Sequence, residues 1–467
     1  METSEKQGLT IGVRSFITAI AVIFCLMTAA YLLTLTIPGG AYNRIEDASG
    51  NLIVDTTAGF TFTDGGIPFW KWLLSPVLVL GASGSGTLIA VIAFLLVIGG
   101  IFNALDQCGL MAYILNKTAS RFSAVRYHLM AVVVLFFMGI GAMIGSFEEC
   151  VPLVPLVVAL AVNLGWDRMT GVGMSLLAAG CGFASGVCNP FTVGVAQQLA
   201  GLPMFSGLWL RAFAFVLIYS LLLLFLRRYA KGIEKPLDTI QAAIHFVPDA
   251  AKDRGMSWFV GIMAVGITVV LSSALIPSLQ DYTMIIVSVM FLVAGIVSVI
   301  ACGFGANHLT KSFWNGVSSI FPAVLMILMA SSIKYTLEEA HVLDTILHYA
   351  VGLAQTLPGW AVILFIYATI LVMNFFIPSG SAKAFMLIPL IVPMAQIFGI
   401  SAQLCVVAFA FGDGFSNVFY PTNPTLLIAL GLADVSYGDW FKWSGKFQII
   451  NLILTSFILL FGLAVGY

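Results

Sequence analysis

The chain has 467 residues, 60% hydrophobic and only 9% charged, with a net charge of −1 and a mean hydropathy of +1.04. Soluble domains carry about 25% charged residues, so these values exclude a soluble enzyme built on one core, and the near-zero charge argues against a nucleic-acid partner. Many apolar runs reach the roughly 20 residues that cross a bilayer, and they are continuous rather than alternating, which selects membrane helices over a barrel.

The first run, Ser15 to Ile37, follows Lys6 and Arg14. It exceeds the apolar core of a signal peptide, lacks a cleavage site, and reads as a retained transmembrane helix. With the N-terminus inside, the polar segment 39–66 is external, since Glu46, Asp47, Asp55 and Asp64 face only Arg44. A helix returns over Val77–Ala104, and an amphipathic stretch with Lys117, Arg121 and Arg126 lies at the inner surface. Tyr127–Gly165 is apolar but broken at Gly145-Ser146-Phe147-Glu148-Glu149, with Arg126 and Arg168 at its two ends. Positive charge at both ends predicts a re-entrant hairpin. Helices are expected over Gly171–Leu199 and Leu208–Leu226, then a cytoplasmic linker at 229–256 with Lys231, Lys235 and Lys252.

The second half is expected to place helices at Trp258–Ile276, Met284–Cys302 and Ser318–Ser332. An acidic amphipathic stretch with Glu338, Glu339 and Asp344 follows. A second hairpin over 360–399 is broken at Ser379-Gly380-Ser381, and helices at Ala402–Leu430 and Trp440–Gly466 complete the chain. Trp70, Trp72, Trp209, Trp360, Trp440 and Trp443 flank segments as interfacial aromatics do. The sum is an all-α integral membrane protein with about nine transmembrane helices, two re-entrant hairpins and two interrupted helices. Its repeats are 1–228 and 257–467, with hairpins near 127–165 and 360–399 and the linker 229–256 between them.

A shift of 234 residues lays Pro155-Leu156 on Pro389-Leu390, Gly165 on Gly399, Gly180 on Gly414, and Asn189-Pro190 on Asn423-Pro424. Each half reads hairpin, then a helix interrupted at Asn-Pro. An extra crossing before the second hairpin makes the repeat inverted, the architecture of secondary transporters whose substrate sits near the midplane where broken helices meet. Proline removes a helix hydrogen bond, so Ser185 to Pro190 and Ser416 to Pro424 offer free backbone groups and hydroxyls. Ser185, Asp413, Ser416, Asn417 and Thr422 are the candidates for a coupling ion, Na+ or H+, and no other cofactor is expected.

Glu148, Glu149, Lys383 and Asp413 lie inside apolar segments, where a charge costs about 2.5–3.5 kcal/mol even on lenient insertion scales. They must face protein or water. The shift sets Glu149 on Lys383, so a structural pair between them is one reading. The functional one is a binding site at the breaks. Adjacent Glu148 and Glu149 suit an ammonium or guanidinium group. The tip Ser379-Gly380-Ser381, leading into a helix, favours a carboxylate, with Lys383 adding to it. Ser146, Asn189, Thr192 and Asn423 complete the candidate substrate set. Such a site fits a basic amino acid.

The remaining signals are weak. The seven cysteines are scattered, without metal spacing. Gly81 to Gly86 lacks the ending of a P-loop, no catalytic constellation or ATPase domain is visible, and His341 and His348 do not suggest a metal site.

The stretch from Ser379 through Lys383 to Pro389 resembles the Ser-Asn-Thr hairpin tip and apolar run of the ion transporter superfamily, and most closely the YfcC-like family related to DcuC-type dicarboxylate carriers. The resemblance spans both hairpins and both Asn-Pro helices. It departs at the first tip, where Gly145-Ser146-Phe147 takes the motif's place. It implies a midplane site, elevator-like alternating access and antiport of basic amino acids of the arginine/ornithine type. A sodium- or proton-coupled dicarboxylate or organic anion carrier is the alternative. By analogy it implies a homodimer in a bacterial inner membrane.

Overall fold

A computed structural model describes residues 13–46, 52–54, 59–82, 85–145, 147–236, 247–273 and 283–467. Helix α1 spans Val13–Thr36. The segment after it contains two small antiparallel ribbons: β1 (Gly39–Tyr42) pairs with β4 (Phe60–Thr63), and β2 (Arg44–Glu46) with β3 (Leu52–Val54). Two short helices, α2 (Phe69–Leu73) and α3 (Ser75–Leu78), lead to α4 (Ser85–Gln107). The amphipathic α5 (Leu110–Phe122) precedes α6 (Arg126–Ile144), and after a break the chain resumes in a 3-10 turn and α7 (Val154–Asn163). Then α8 (Arg168–Val172), a wide turn and α9 (Ala178–Ser185) run to a second break, followed by Pro190–Gly194 and α10 (Val195–Leu199).

α11 (Leu208–Ile233) ends the first half, and α12 (Ala250–Ser273), α13 (Thr283–Ala301) and α14 (Ala306–Glu339) open the second. α15 (Val342–Ala354) and α16 (Gly359–Phe376) follow. Next come α17 (Gly380–Ile397), α18 (Ala402–Asn417), α19 (Pro424–Leu432) and α20 (Tyr437–Ala464). Seven helices among the described residues are long and apolar enough to cross a membrane. α1 and α13 meet the composition over the shorter stretches Ile20–Thr36 and Ile285–Ala301.

Polarity is arranged for a lipid solvent. On α20, Ile449 and Phe457 are exposed while Ser444, Asn451 and Thr455 are buried. The Thr455 hydroxyl meets that of Tyr367 on α16 at 2.9 Å. Arg211, Lys383 and Asp413 are fully buried. Apolar side chains cover the outside, and the few polar and charged groups of these helices are turned inward.

Several expectations change. The polar segment 39–66 carries strands, and Asp344 belongs to their anchor rather than to a surface stretch. Asp344 is buried, receives the Arg44 guanidinium on both oxygens at 2.9 Å, and accepts the Tyr42 amide at 3.1 Å. His348 stacks on Phe60 at 4.1 Å. β3 packs on α17. Glu338 and Glu339 end the long α14, which overruns the expected Ser318–Ser332 at both ends. Trp72 and Trp440 are buried, with their indole N–H groups donating to the carbonyls of Met27 (3.0 Å) and Val418 (2.8 Å), so neither is an interfacial aromatic. Ser83-Gly84 of the glycine-rich run lies outside the described residues.

The 234-residue shift extends to helix geometry. α7 ends at Asn163 and α17 at Ile397, and Gly165 and Gly399 follow with φ +86° and +74°. Asp167 and Ser401 then cap the next helices by accepting the amides of Thr170 (2.8 Å) and Leu404 (3.1 Å). α6 packs on α9, α16 on α18, and α9 crosses α18. At that crossing Gly180 faces Val418 and Gly414 faces Ala184, so that a Cβ added at either would stand 2.3 Å from the neighbour. The contacts are reciprocal under the same shift.

Candidate substrate site

Four chain breaks lie beside one another. Gly145 closes α6 in the left-handed region (φ +77°), and Gly186 closes α9 in the same way (φ +55°). Residues 377–379 separate α16 from α17, and 418–423 separate α18 from α19. Freed backbone groups inside a membrane need partners. The Cys188 amide donates to the Ala142 carbonyl at 2.9 Å, which ties the first two breaks together. The Val187 carbonyl accepts Arg211 Nε at 3.4 Å, and that of Phe419 accepts the Tyr437 hydroxyl at 3.0 Å.

The second pair of breaks holds a buried polar network. Lys383 Nζ donates to Asp413 Oδ1 at 2.5 Å, to the Ile377 carbonyl at 2.8 Å, and to Asn374 Oδ1. The Asn374 amide nitrogen faces the Asp413 carbonyl (3.0 Å), Ser416 Oγ (2.7 Å) and Asn417 Oδ1 (2.9 Å). Asn423 donates to that same Asn417 oxygen at 3.1 Å, while its own Oδ1 caps α19 through the Thr425 amide at 2.9 Å. Lys383, Asp413, Ser416, Asn417 and Asn423 are thus brought together, through a residue the sequence reading passed over. An asparagine in the apolar run Val372-Met373-Asn374-Phe375 was the available signal.

The two halves meet at the tips. A Cβ on Gly145 would stand 2.2 Å from Asn189 Oδ1, and one on Gly380 would stand 2.6 Å from Thr192 Cγ2 and 2.7 Å from Asp413 Oδ2. Asp413 Oδ2 and Thr192 Oγ1 are buried and have no hydrogen-bond partner among the described residues, and the same holds for Thr422 Oγ1. Glu148 sits at the start of the 3-10 turn, partly open. It has no ion-pair partner among the described residues.

The other expected positions divide as follows. Ser146 and the side chain of Glu149 lie outside the described residues. Lys383 pairs with Asp413, and all three of its N–H groups have acceptors. It is therefore not presented to a substrate carboxylate in this conformation. Ser379 is exposed, and Gly380 and Ser381 half-buried, at the N-terminal end of α17. Ser185 stays out of the network, its hydroxyl returned to the Gly182 carbonyl at 2.7 Å. Arg211 was not foreseen, because it stands less than a full turn inside α11. Its guanidinium also donates to the Phe205 carbonyl at 3.2 Å, and Nη1 has no partner among the described residues.

Buried charge concentrated at paired helix breaks, inside an assembly whose outer surface is apolar, defines a multi-pass membrane transporter. The chain belongs to the DcuC family, described as C4-dicarboxylate anaerobic carrier, whose model matches residues 16–464. It is 31% identical over 419 residues to the Escherichia coli (strain K12) protein named "Putative basic amino acid antiporter YfcC", covering 82% of this chain and 80% of that one. A Bacillus subtilis (strain 168) citrate transporter is 24% identical over 322 residues, covering 64% of this chain and 69% of that one. Among solved structures, the YdaH transporter of Alcanivorax borkumensis matches 97% of this chain and 99% of its own at 16% identity and a TM-score of 0.46. The chain is a secondary transporter of the DcuC/YfcC type.

Proposed function

We propose that this transporter exchanges basic amino acids by alternating access. Glu148 receives the cationic side chain. The N-terminal end of α17 at Ser379-Gly380-Ser381, with the Thr192 hydroxyl, receives the α-carboxylate. The observation that carries the reading is one of charge. Lys383 and Asp413 neutralise each other, which leaves the partly open Glu148 carboxylate beside the breaks without a counter-charge among the described residues. A cationic substrate supplies that charge, and a guanidinium can do so with two parallel hydrogen bonds. The 18-residue α17 offers unpaired amides and the positive end of its dipole to an anion.

In this proposal the two halves are inverted repeats, and each helix-break-helix is a re-entrant hairpin. The reciprocal Gly180–Val418 and Gly414–Ala184 contacts support that symmetry. The protein works in a bacterial inner membrane as a homodimer, with segment 39–66 outside and 229–256 inside.

The test is uptake of labelled arginine into proteoliposomes preloaded with ornithine, lysine, malate or nothing. The proposal requires uptake driven by internal ornithine or lysine and strongly weakened by Glu148→Gln. A second reading, an organic anion carrier, is favoured by Arg211, whose buried guanidinium has no carboxylate partner among the described residues. Uptake of labelled malate, lost in Arg211→Gln, with arginine uptake absent, would move that reading into first place.

A further inference from the structure

The surroundings of Lys383 are made entirely of oxygen acceptors. A buried ammonium paired with a carboxylate needs further acceptors only for its remaining N–H groups. Here the three acceptors come from three parts of the chain: a carboxamide oxygen on α16 (Asn374), a main-chain carbonyl released by the break after α16 (Ile377), and a carboxylate on α18 (Asp413). Carboxylate, carboxamide and backbone oxygens are the ligands that hard metal cations take from proteins. Orientation is fixed as well. The Asn374 amide nitrogen is directed to acceptors on α18, so its oxygen is turned to the ammonium, which can only donate. Asp413 holds its second oxygen fully buried against Gly380, with no partner among the described residues. The set has the chemistry of a cation site, and a side chain occupies it.

We infer that the Lys383 ammonium is a built-in monovalent cation, filling an oxygen-lined site at the second pair of breaks that takes Na+ when the lysine is removed. The charge that joins the α16–α17 break to α18 is carried by the chain itself, so the intact protein has no need of Na+ to order this region. The inference concerns the protein's own charge and holds for either substrate class.

The test is the melting temperature of the purified full-length protein, titrated with NaCl against choline chloride at constant ionic strength. Wild type shows no saturable response. Lys383→Ala gains at least about 3 °C, saturably, between about 1 and about 100 mM Na+, the size expected of a ligand that binds only the folded state. Lys383→Ala combined with Asp413→Asn loses the response, because the anionic ligand is gone. Lys383→Ser, which keeps the space and adds an oxygen, behaves as Lys383→Ala does and serves if the alanine variant does not fold. A saturable Na+ response in wild type, or a flat titration in both Lys383→Ala and Lys383→Ser, overturns the inference. No amino acid or dicarboxylate enters the measurement, so its failure is distinct from failure of the substrate proposal.

Discussion

Gly145 lies against the carboxamide of Asn189, so close that a Cβ at 145 would stand 2.2 Å from Oδ1. The tip of the first helix-break-helix is therefore seated on the first Asn-Pro break, and two constraints act on one residue. The left-handed φ of +77° strains any side chain by about 1–2 kcal/mol, and the contact adds steric overlap. Gly145→Ala should lower the melting temperature and abolish transport. Shortening the partner in Gly145→Ala with Asn189→Gly relieves the overlap but not the backbone strain, so thermal stability should recover only in part. Full recovery would show that φ at 145 does not matter.

The Lys383–Asp413 pair predicts a strong double-mutant coupling. Removing either charge leaves the other buried alone, at about 3–5 kcal/mol. Lys383→Met and Asp413→Asn should each reduce the yield of folded protein severely, and the double variant should recover much of it. Transport should stay impaired in the double variant, since Asp413 also faces Gly380 at the tip. Additive losses in melting temperature would mean that the two groups do not act as a pair.

The glycine crossing predicts an asymmetry in rescue. A Cβ on Gly180 meets a side-chain methyl of Val418, whereas one on Gly414 meets the Cα of Ala184. Val418→Ala should largely restore the stability lost in Gly180→Ala. No side-chain truncation moves the Ala184 backbone, so Gly414→Ala should remain destabilised, by about 1–3 kcal/mol as overpacked cores are, in combination with Ala184→Gly. Melting curves of the four variants decide the matter.

Asp344 predicts the behaviour of the ribbon. It accepts three hydrogen bonds from Arg44 and Tyr42, and bonds to a charged group contribute about 1.5–3 kcal/mol each. Asp344→Ala should raise protease cleavage within 39–63 by several-fold in right-side-out vesicles, and Arg44→Ala should do so less. Cleavage seen only in inside-out vesicles would reverse the orientation taken for the segment.

The helical membrane class was legible because lipid demands long apolar runs and the chain has few residues of any other kind. The break positions were legible because Gly, Asn and Pro act locally through φ and a missing N–H. What escaped depends on the third dimension. Alternation in Phe60-Thr61-Phe62-Thr63 marks a strand, but among long apolar runs a reading tuned to helices passes over it. Charge at Lys383 was visible, yet its partner was not: sequence equivalence pointed to Glu149, while Asp413, 30 residues on, shares the packed face. Trp440 was assigned to an interface because tryptophan is commonest there, although a break carbonyl buried nearby also calls for a donor.

The Lys383–Asp413 pair also constrains how the protein is made. Each residue, threaded into lipid alone, costs about 2.5–3.5 kcal/mol on insertion scales, and the two are separated by a helix and a turn. α17 emerges from the ribosome before its counter-charge exists. During that interval the nascent helix is either kept in the insertion machinery or sheltered by α16, whose Asn374 oxygen and Ile377 carbonyl already accept from Lys383. The three helices from Gly359 to Asn417 thus form a single unit of membrane insertion, and cutting synthesis short between 397 and 413 would leave Lys383 in the membrane without its counter-charge.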